Sequence, residues 1–132
     1  MYVTHLECSL TAEHYPAGQP HNLSAAGKPL LVRYDHERAR MSLARESLAD
    51  RPAGMWKWRE LLPLPEGVEP VSYGEPETPI IQLASTAAKA GATSLLVKDE
   101  GRLPTGSFKA RGLAMAISMA RHFGIKSVAL PT

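Results

Sequence analysis

Cysteine is almost absent from this chain of 132 residues, which contains Cys8 alone. A single thiol excludes an internal disulfide and fits a reducing compartment. No apolar run approaches the roughly 20 residues that a membrane-spanning helix needs. The first ten residues, MYVTHLECSL, lack the basic start and apolar core of a signal peptide. These absences predict a cytoplasmic protein that has no membrane partner.

An excess of charge of either sign is also missing. The chain has 15 Lys and Arg against 13 Asp and Glu, and its net charge is +2. The basic residues form no run, so we expect no nucleic-acid partner. The hydrophobic content of 44% is sufficient for the core of one domain.

The segment 104–112, PTGSFKARG, is the most informative part of the sequence because it sets Lys109 at the start of a predicted helix. Residues 94–98 (SLLVK) have the pattern of a buried strand, and a loop of turn formers follows. Ser107 is a good N-cap, the helix is predicted over 108–123, and Gly124 suits its C-terminal end. The positive end of a helix disfavours the ammonium form of a lysine, and only a neutral amine attacks a carbonyl. Lys109 is therefore a candidate Schiff-base former, although a solvated lysine is the commoner case.

Residues 127–132 (SVALPT) predict a second strand after this helix. A strand, a helix and a strand in this order form the crossover unit of a parallel sheet. Ligands of such sheets bind beyond the carboxyl ends of the strands, where helix N-termini point. The expected fold class is α/β, with an open parallel sheet, flanking helices and Lys109 at the ligand-binding edge.

The segment KDEGRLPTGSFKARG (98–112) resembles the lysine motif of fold-type II pyridoxal-phosphate enzymes, and most closely that of threonine synthase. Residues 27–35 (GKPLLVRYD) and 54–80 (GMWKWRELLPLPEGVEPVSYGEPETPI) are similar to upstream segments of the same family. The resemblance implies the N-terminal part of the tryptophan synthase beta-like fold. It also implies pyridoxal 5'-phosphate bound to Lys109, with Phe108 packed near the cofactor ring and Ser107 shaping the loop around it.

The reaction implied by the resemblance converts O-phosphohomoserine and water to threonine and phosphate. The cofactor acts as an electron sink in such enzymes, and the lysine amine moves protons between carbons. A homodimer is the implied assembly. Serine and threonine dehydratases share the Ser-Phe-Lys core, so a dehydratase stays an alternative, as does a non-catalytic binding module. Lys98 and Arg111 could steer an anionic substrate, but a solvated or ion-paired role is commoner for such residues.

The sequence departs from the family pattern at several points. Ala110 stands where the family commonly has aspartate, and Pro76 stands where glycine is usual. The family's Gly-Asn turn and glycine-rich phosphate loop would follow Thr132. We therefore expect the 132 residues to be an incomplete catalytic unit that is inactive by itself.

The N-terminal region raises the question of a metal. Its candidate ligands are His5, Cys8, His14 and His21, of which only His5 and Cys8 are closely spaced, so no metal site is expected. Some threonine synthases begin with a four-cysteine zinc ribbon. By resemblance Cys8 would be a remnant of that ribbon, with Thr11 in place of its partner and the second pair ending near Ala26. The implied ribbon has lost its metal.

The expected organisation has three parts. Residues 1–35 are a degenerate zinc-ribbon-like segment, 36–79 a helical and proline-rich linker, and 80–132 the incomplete start of the cofactor-binding domain. Within the linker, 36–50 predicts an amphipathic helix, a short helix follows around Trp56, and five prolines keep 63–79 extended. A short strand is predicted at 80–83 and a helical turn at 85–89.

Overall fold

A computed structural model describes residues 1–130, which contain five strands and three α-helices. The strands are β1 (Val3–Cys8), β2 (His14–Tyr15), β3 (Leu30–Tyr34), β4 (Ile80–Gln82) and β5 (Leu96–Lys98). The helices are α1 (His36–Ser42), α2 (Ala84–Lys89) and α3 (Lys109–His122), and short 3₁₀ helices span Glu46–Leu48, Met55–Leu61 and Glu100–Arg102. None of the helices in residues 1–130 has the length and apolar character needed to cross a bilayer.

The N-terminal sheet has the strand order β2-β1-β3, and both of its pairings are antiparallel. β3 confirms the strand predicted in 27–35. It pairs with β1 from Val3 opposite Tyr34 to Cys8 opposite Leu30. β2 pairs with the other edge of β1, which sets Glu7 opposite His14. This register places Glu7 and His14 beside each other, which no local sequence pattern indicated.

The helix predicted over 36–50 is shorter in the structure. α1 begins after Asp35, whose carboxylate accepts the Arg38 amide at 2.9 Å as an N-cap. It ends at Ser42, whose hydroxyl donates to the Arg38 carbonyl at 2.5 Å and so competes for a backbone group of the helix. Leu43 then leaves the helical region, with φ −101° and ψ 87°. Only one 3₁₀ turn forms in the remainder of the predicted helix.

The predicted short helix around Trp56 forms as the 3₁₀ helix Met55–Leu61, and 63–79 contains neither helix nor strand, as the prolines indicated. Gly54, directly before this 3₁₀ helix, lies against the backbone of the proline-rich stretch. Its φ is +123°, and a Cβ atom there would lie 2.6 Å from the Glu75 carbonyl oxygen. The backbone at Glu75 therefore passes directly against the start of the 3₁₀ helix, where its carbonyl accepts the Met55 amide at 3.2 Å. Leu64, which is 1% exposed, anchors the linker in the core.

β4, α2 and β5 confirm the predicted strand, helical turn and strand, but the predicted parallel sheet is wrong. β4 and β5 pair antiparallel, with Ile81 opposite Val97. Residues 127–130 form no strand, and 131–132 of the predicted strand lie outside the described residues. Within residues 1–130, β5 pairs with β4 along one edge, and none of residues 127–130 pairs along its other edge, so no crossover unit forms. The coarser α/β class is confirmed.

The prediction that β5 is buried is also wrong. All three of its residues are exposed, and Leu96 retains 60% of its accessible surface. The residues of β4 are exposed as well. Apolar strand residues become buried only when another layer covers the sheet, and the high exposure of Ile80 and Leu96 shows that the face they share is uncovered.

Candidate functional site

The site predicted from the sequence lies at the start of α3. Lys109 is the first residue of this 14-residue helix, and Phe108 before it already has helical angles, with φ −55° and ψ −22°. Gly106 precedes them with φ +67°, a left-handed conformation that suits glycine, and its amide donates to the Leu103 carbonyl at 2.7 Å. The turn therefore reverses the chain immediately before the lysine.

Ser107 holds the first turn of the helix. Its hydroxyl oxygen accepts the Lys109 amide at 3.3 Å, and its carbonyl accepts the Ala110 amide at 3.1 Å. Thr105 donates its hydroxyl to the same carbonyl at 3.4 Å. The N-cap position is occupied by Phe108 without a side-chain capping bond, so the prediction of Ser107 as the N-cap is wrong by one residue, although the Ser107 hydroxyl still accepts the Lys109 amide.

Ser107, Phe108 and Lys109 are consecutive residues of this turn. The side chains of Phe108 and Lys109 are exposed. Phe108 retains 68% of its accessible surface. Across residues 1–130, the Lys109 amine has no ion pair or side-chain hydrogen bond. A free amine beside an accessible aromatic ring fits the aldehyde and ring of pyridoxal phosphate, which need an attachment point and an apolar face. A shallow groove borders this amine, lined by Phe108, Lys109, Gly112 and Leu113.

Arg111 connects the helix to two loops, which confirms its expected ion-paired role. Its guanidinium binds both carboxylate oxygens of Glu100, at 2.7 and 3.1 Å, and donates to the Pro76 carbonyl at 3.0 Å. Thr78 also donates its hydroxyl to Glu100. The hydrogen bonds from Arg111 and then Thr78 lower the pKa of Glu100 to about 2. We refer to Thr78, Glu100 and Arg111 as the Arg111 cluster.

Lys98 adjoins the Arg111 cluster. Its amine donates to the Thr78 carbonyl at 2.9 Å and lies 4.0 Å from Glu100. The sequence indicated Lys98 and Arg111 as charged residues near the site, but it did not indicate Glu100 and Thr78 as their partners. No spacing rule connects residues that lie 22 positions apart, so only the fold reveals the cluster. The Arg111 cluster fixes the orientation of the first turn of α3, which carries Lys109.

An apolar cleft of about 150 Å³ lies beside the same helix. Ala110, Leu113, Ala114 and Ile117 supply its helical wall, and Glu75 is its acidic residue. Glu75 is only 3% exposed, and hydrogen bonds from the protein replace those that its carboxylate would make to water. Its donors are the Ser72 hydroxyl at 2.5 Å, the Tyr73 amide at 3.0 Å and the Trp56 indole at 3.3 Å. Burial raises the pKa of Glu75, but these hydrogen bonds outweigh it and the net pKa is lowered. Sequence reasoning missed this residue, whose only signal was the Gly-Glu…Thr-Pro turn.

Cys8 lies apart from the lysine site, at the end of β1. Its sulfur is 3.1 Å from the Ser24 hydroxyl oxygen and 3.4 Å from the Thr11 amide nitrogen. Hydrogen bonding to Ser24, and then to Thr11, lowers the pKa of the Cys8 thiol to about 7. Its neighbours are therefore Thr11, which the resemblance sets in place of a partner cysteine, and Ser24, which the sequence did not indicate.

Comparison with known proteins gives a consistent result. The chain is 34% identical over 102 residues to a threonine synthase of Methanocaldococcus jannaschii, a match that covers 77% of this chain and 25% of that protein. It is 33% identical over 126 residues to a threonine synthase of Methanosarcina acetivorans, covering 95% of this chain and 30% of that protein. A threonine synthase of a Synechocystis species is 40% identical over 72 residues. No family model and no solved structure matches the chain.

The fold and the site define an α/β protein with an accessible lysine at a loop–helix junction. Its similarity to the threonine synthases above identifies the family within this class. The chain belongs to the threonine synthase family and corresponds to its N-terminal portion. It spans less than a third of the length of the first two relatives.

Proposed function

We propose that this chain supplies the cofactor-anchoring lysine of a threonine synthase. In the whole protein, pyridoxal 5'-phosphate bonded to Lys109 would serve the conversion of O-phosphohomoserine and water to threonine and phosphate. The bound cofactor supplies an electron sink for carbanions of the substrate. The proposed organisation is a ribbon-like segment at 1–35, a linker at 36–79 and the beginning of a tryptophan synthase beta-like domain at 80–132.

The observation that carries the proposal is the exposed Lys109 amine at the first position of α3. Ser107 holds the turn so that the amine extends from the helix start, and Phe108 offers the neighbouring aromatic face. The Arg111 cluster anchors the same turn to residues 76–78. In the complete enzyme the freed amine would move the proton between substrate carbons, which is the usual task of such a lysine.

Titration of the purified chain with pyridoxal phosphate tests the anchor. We expect an absorbance change from reaction of the aldehyde with a protein amine, and the site-specific part of it should vanish in Lys109→Ala. Lys126→Ala is the matched control, because Lys126 is also exposed and lies just beyond the other end of α3. Equal absorbance changes in the two variants would contradict the proposal.

Activity assays test the reaction itself. Because Phe108 and Lys109 are exposed, the described residues do not enclose a substrate, and we expect no turnover by the 132-residue chain alone. In a full-length threonine synthase that carries this segment, we expect turnover of O-phosphohomoserine that is lost in Lys109→Ala. Turnover of only unphosphorylated serine or threonine would instead identify a dehydratase.

A further inference from the structure

His5, Glu7 and His14 form a cluster on the N-terminal sheet, far along the chain from the lysine-bearing turn. One potential ligand atom from each residue lies within 4.8 Å of those of the other two. The two histidine rings have centroids 3.9 Å apart. Two imidazoles and a carboxylate are one of the ligand sets that bind zinc with an open fourth position.

The strand register explains why the three side chains meet. His5 and Glu7 are two positions apart on β1, so they lie on the same face of the sheet. His14 on β2 is paired directly with Glu7. Because the positions are fixed by two strands, the cluster does not depend on a flexible loop. Cys8 points to the opposite face of β1, so it belongs to a different environment.

The hydrogen bonds of His5 define which of its nitrogens is available. Thr4 donates its hydroxyl to the Arg33 carbonyl at 3.2 Å, so the same oxygen accepts from the Nδ1–H of His5 at 2.9 Å. In the neutral ring this leaves the Nε2 lone pair free, and Nε2 is buried without a hydrogen-bond partner in residues 1–130. A lone pair facing a carboxylate is unfavourable unless a cation lies between them.

Glu7 is oriented in the same way. Arg33 binds its Oε1 at 2.5 Å, which leaves Oε2 at 3.9 Å from His5 Nε2 and 3.8 Å from His14 Nε2. Ligand atoms of a tetrahedral zinc ion are about 3.4 Å apart, given bond lengths of about 2.1 Å. Small side-chain rotations would therefore close the three atoms around an ion. Thr4 and Arg33 would then be the outer partners that hold the ligands in place.

We propose that His5 Nε2, Glu7 Oε2 and His14 Nε2 form a binding site for a divalent zinc-like ion, with water in the fourth position. The site differs from the metal-free segment expected from the sequence, because the strand register supplies ligands that spacing alone did not reveal. It also involves neither Cys8 nor Lys109, so it is independent of the proposed function.

Calorimetric titration of the 132-residue chain with Zn²⁺ tests the site. We expect one site per chain, and His14→Ala and Glu7→Gln should each weaken it at least tenfold, since even outer partners of metal ligands contribute 10–100-fold. His14 is largely exposed, so its replacement should preserve the fold, which far-ultraviolet circular dichroism would verify. His36→Ala is the matched control, because His36 is an exposed histidine on α1. Absence of binding, or equal affinity in His14→Ala and His36→Ala, would overturn the proposal.

Cobalt substitution identifies the ligands. We expect a Co²⁺ visible spectrum without a thiolate charge-transfer band and unchanged in Cys8→Ser. Thr4→Val should weaken binding about 10–100-fold through the freed His5 ring. A thiolate band that disappears in Cys8→Ser would assign the metal to Cys8 and overturn the proposal.

Discussion

At the scale of single residues, the Arg111 cluster and Gly54 carry the contacts that fix the linker. Glu100 is ion-paired with Arg111 at 2.7 Å and accepts a further hydrogen bond from Thr78. Gly54 has no side chain, so the Glu75 backbone can lie in contact with it at the start of the 3₁₀ helix. A single substitution can test each of these two features.

Glu100→Gln should destabilise the chain at neutral pH because it removes the carboxylate that Arg111 and Thr78 bind. The folded-state pKa of Glu100 is about 2, below the unfolded value of about 4.3. Its stabilising contribution is therefore complete above pH 4.3 and is lost as the pH falls towards 2. Urea unfolding of both proteins between pH 7 and pH 2 should show a difference in stability that is constant down to about pH 4.3 and shrinks below it. Glu69→Gln, an exposed carboxylate change, is the control, and a difference that does not depend on pH would contradict the assignment.

Gly54→Ala should lower the free energy of unfolding by at least about 2 kcal/mol. An alanine would occupy a left-handed φ of +123°, and its Cβ would lie 2.6 Å from the Glu75 carbonyl oxygen. Gly18→Ala is the matched control, because no atom lies within 4 Å of the added carbon and its φ is not in that region. Chemical denaturation of the two variants measures the difference. Similar losses in both would show that the linker does not pack as described.

At the scale of elements, α3 has a defined start and end and one buried attachment to the linker. Gly124 ends it with φ +72°, and the amides of Gly124 and Ile125 donate to the carbonyls of Arg121 and Ala120, which is a Schellman motif. This confirms the predicted role of Gly124. Ser118 is 0% exposed and faces the linker.

Ser118→Ala should destabilise the chain by about 1–3 kcal/mol. The Ser118 hydroxyl accepts the Val71 amide at 2.9 Å and donates to the Ala114 carbonyl at 2.6 Å, so the variant leaves a partly buried amide unpaired. Thermal unfolding compares it with Ser94→Ala, in which an exposed serine is replaced. Equal stability of the two variants would mean that α3 is not attached at Val71.

Elements set by local patterns were predictable from the sequence, whereas contacts between distant segments were not. The apolar runs that became β3 and β5, and the turn chemistry at Ser107 and Gly124, act over a few residues. The direction of strand pairing, the burial of β5 and the partner of Arg111 depend on what packs beside each segment. Of the candidate site, Lys109 was therefore predictable from its motif, while Glu100 and Glu75 required the fold.

At the scale of the whole molecule, the β4–β5 pair has apolar residues on both faces. Ile81 and Val97 are opposite each other on one face, and Ile80 and Leu96 lie diagonally on the other. Ile80 and Leu96 retain 65% and 60% of their accessible surface. Uncovered apolar strands with free edges favour association.

We expect the isolated chain to self-associate as its concentration rises, and Ile80→Thr combined with Leu96→Lys to reduce this association. Sedimentation velocity at several concentrations measures the effect. Leu10→Lys is the control, because Leu10 is 66% exposed but lies outside the β4–β5 pair. A chain that stays monomeric at high concentration would contradict the expectation.

The central claim is that Lys109 forms the covalent bond with the cofactor. Borohydride reduction of the full-length enzyme with pyridoxal phosphate, followed by peptide mass spectrometry, tests it most directly. We predict a single stable pyridoxyl label on the peptide that contains Lys109. A label on Lys98, Lys126 or another lysine, with Lys109 unmodified, would contradict the account.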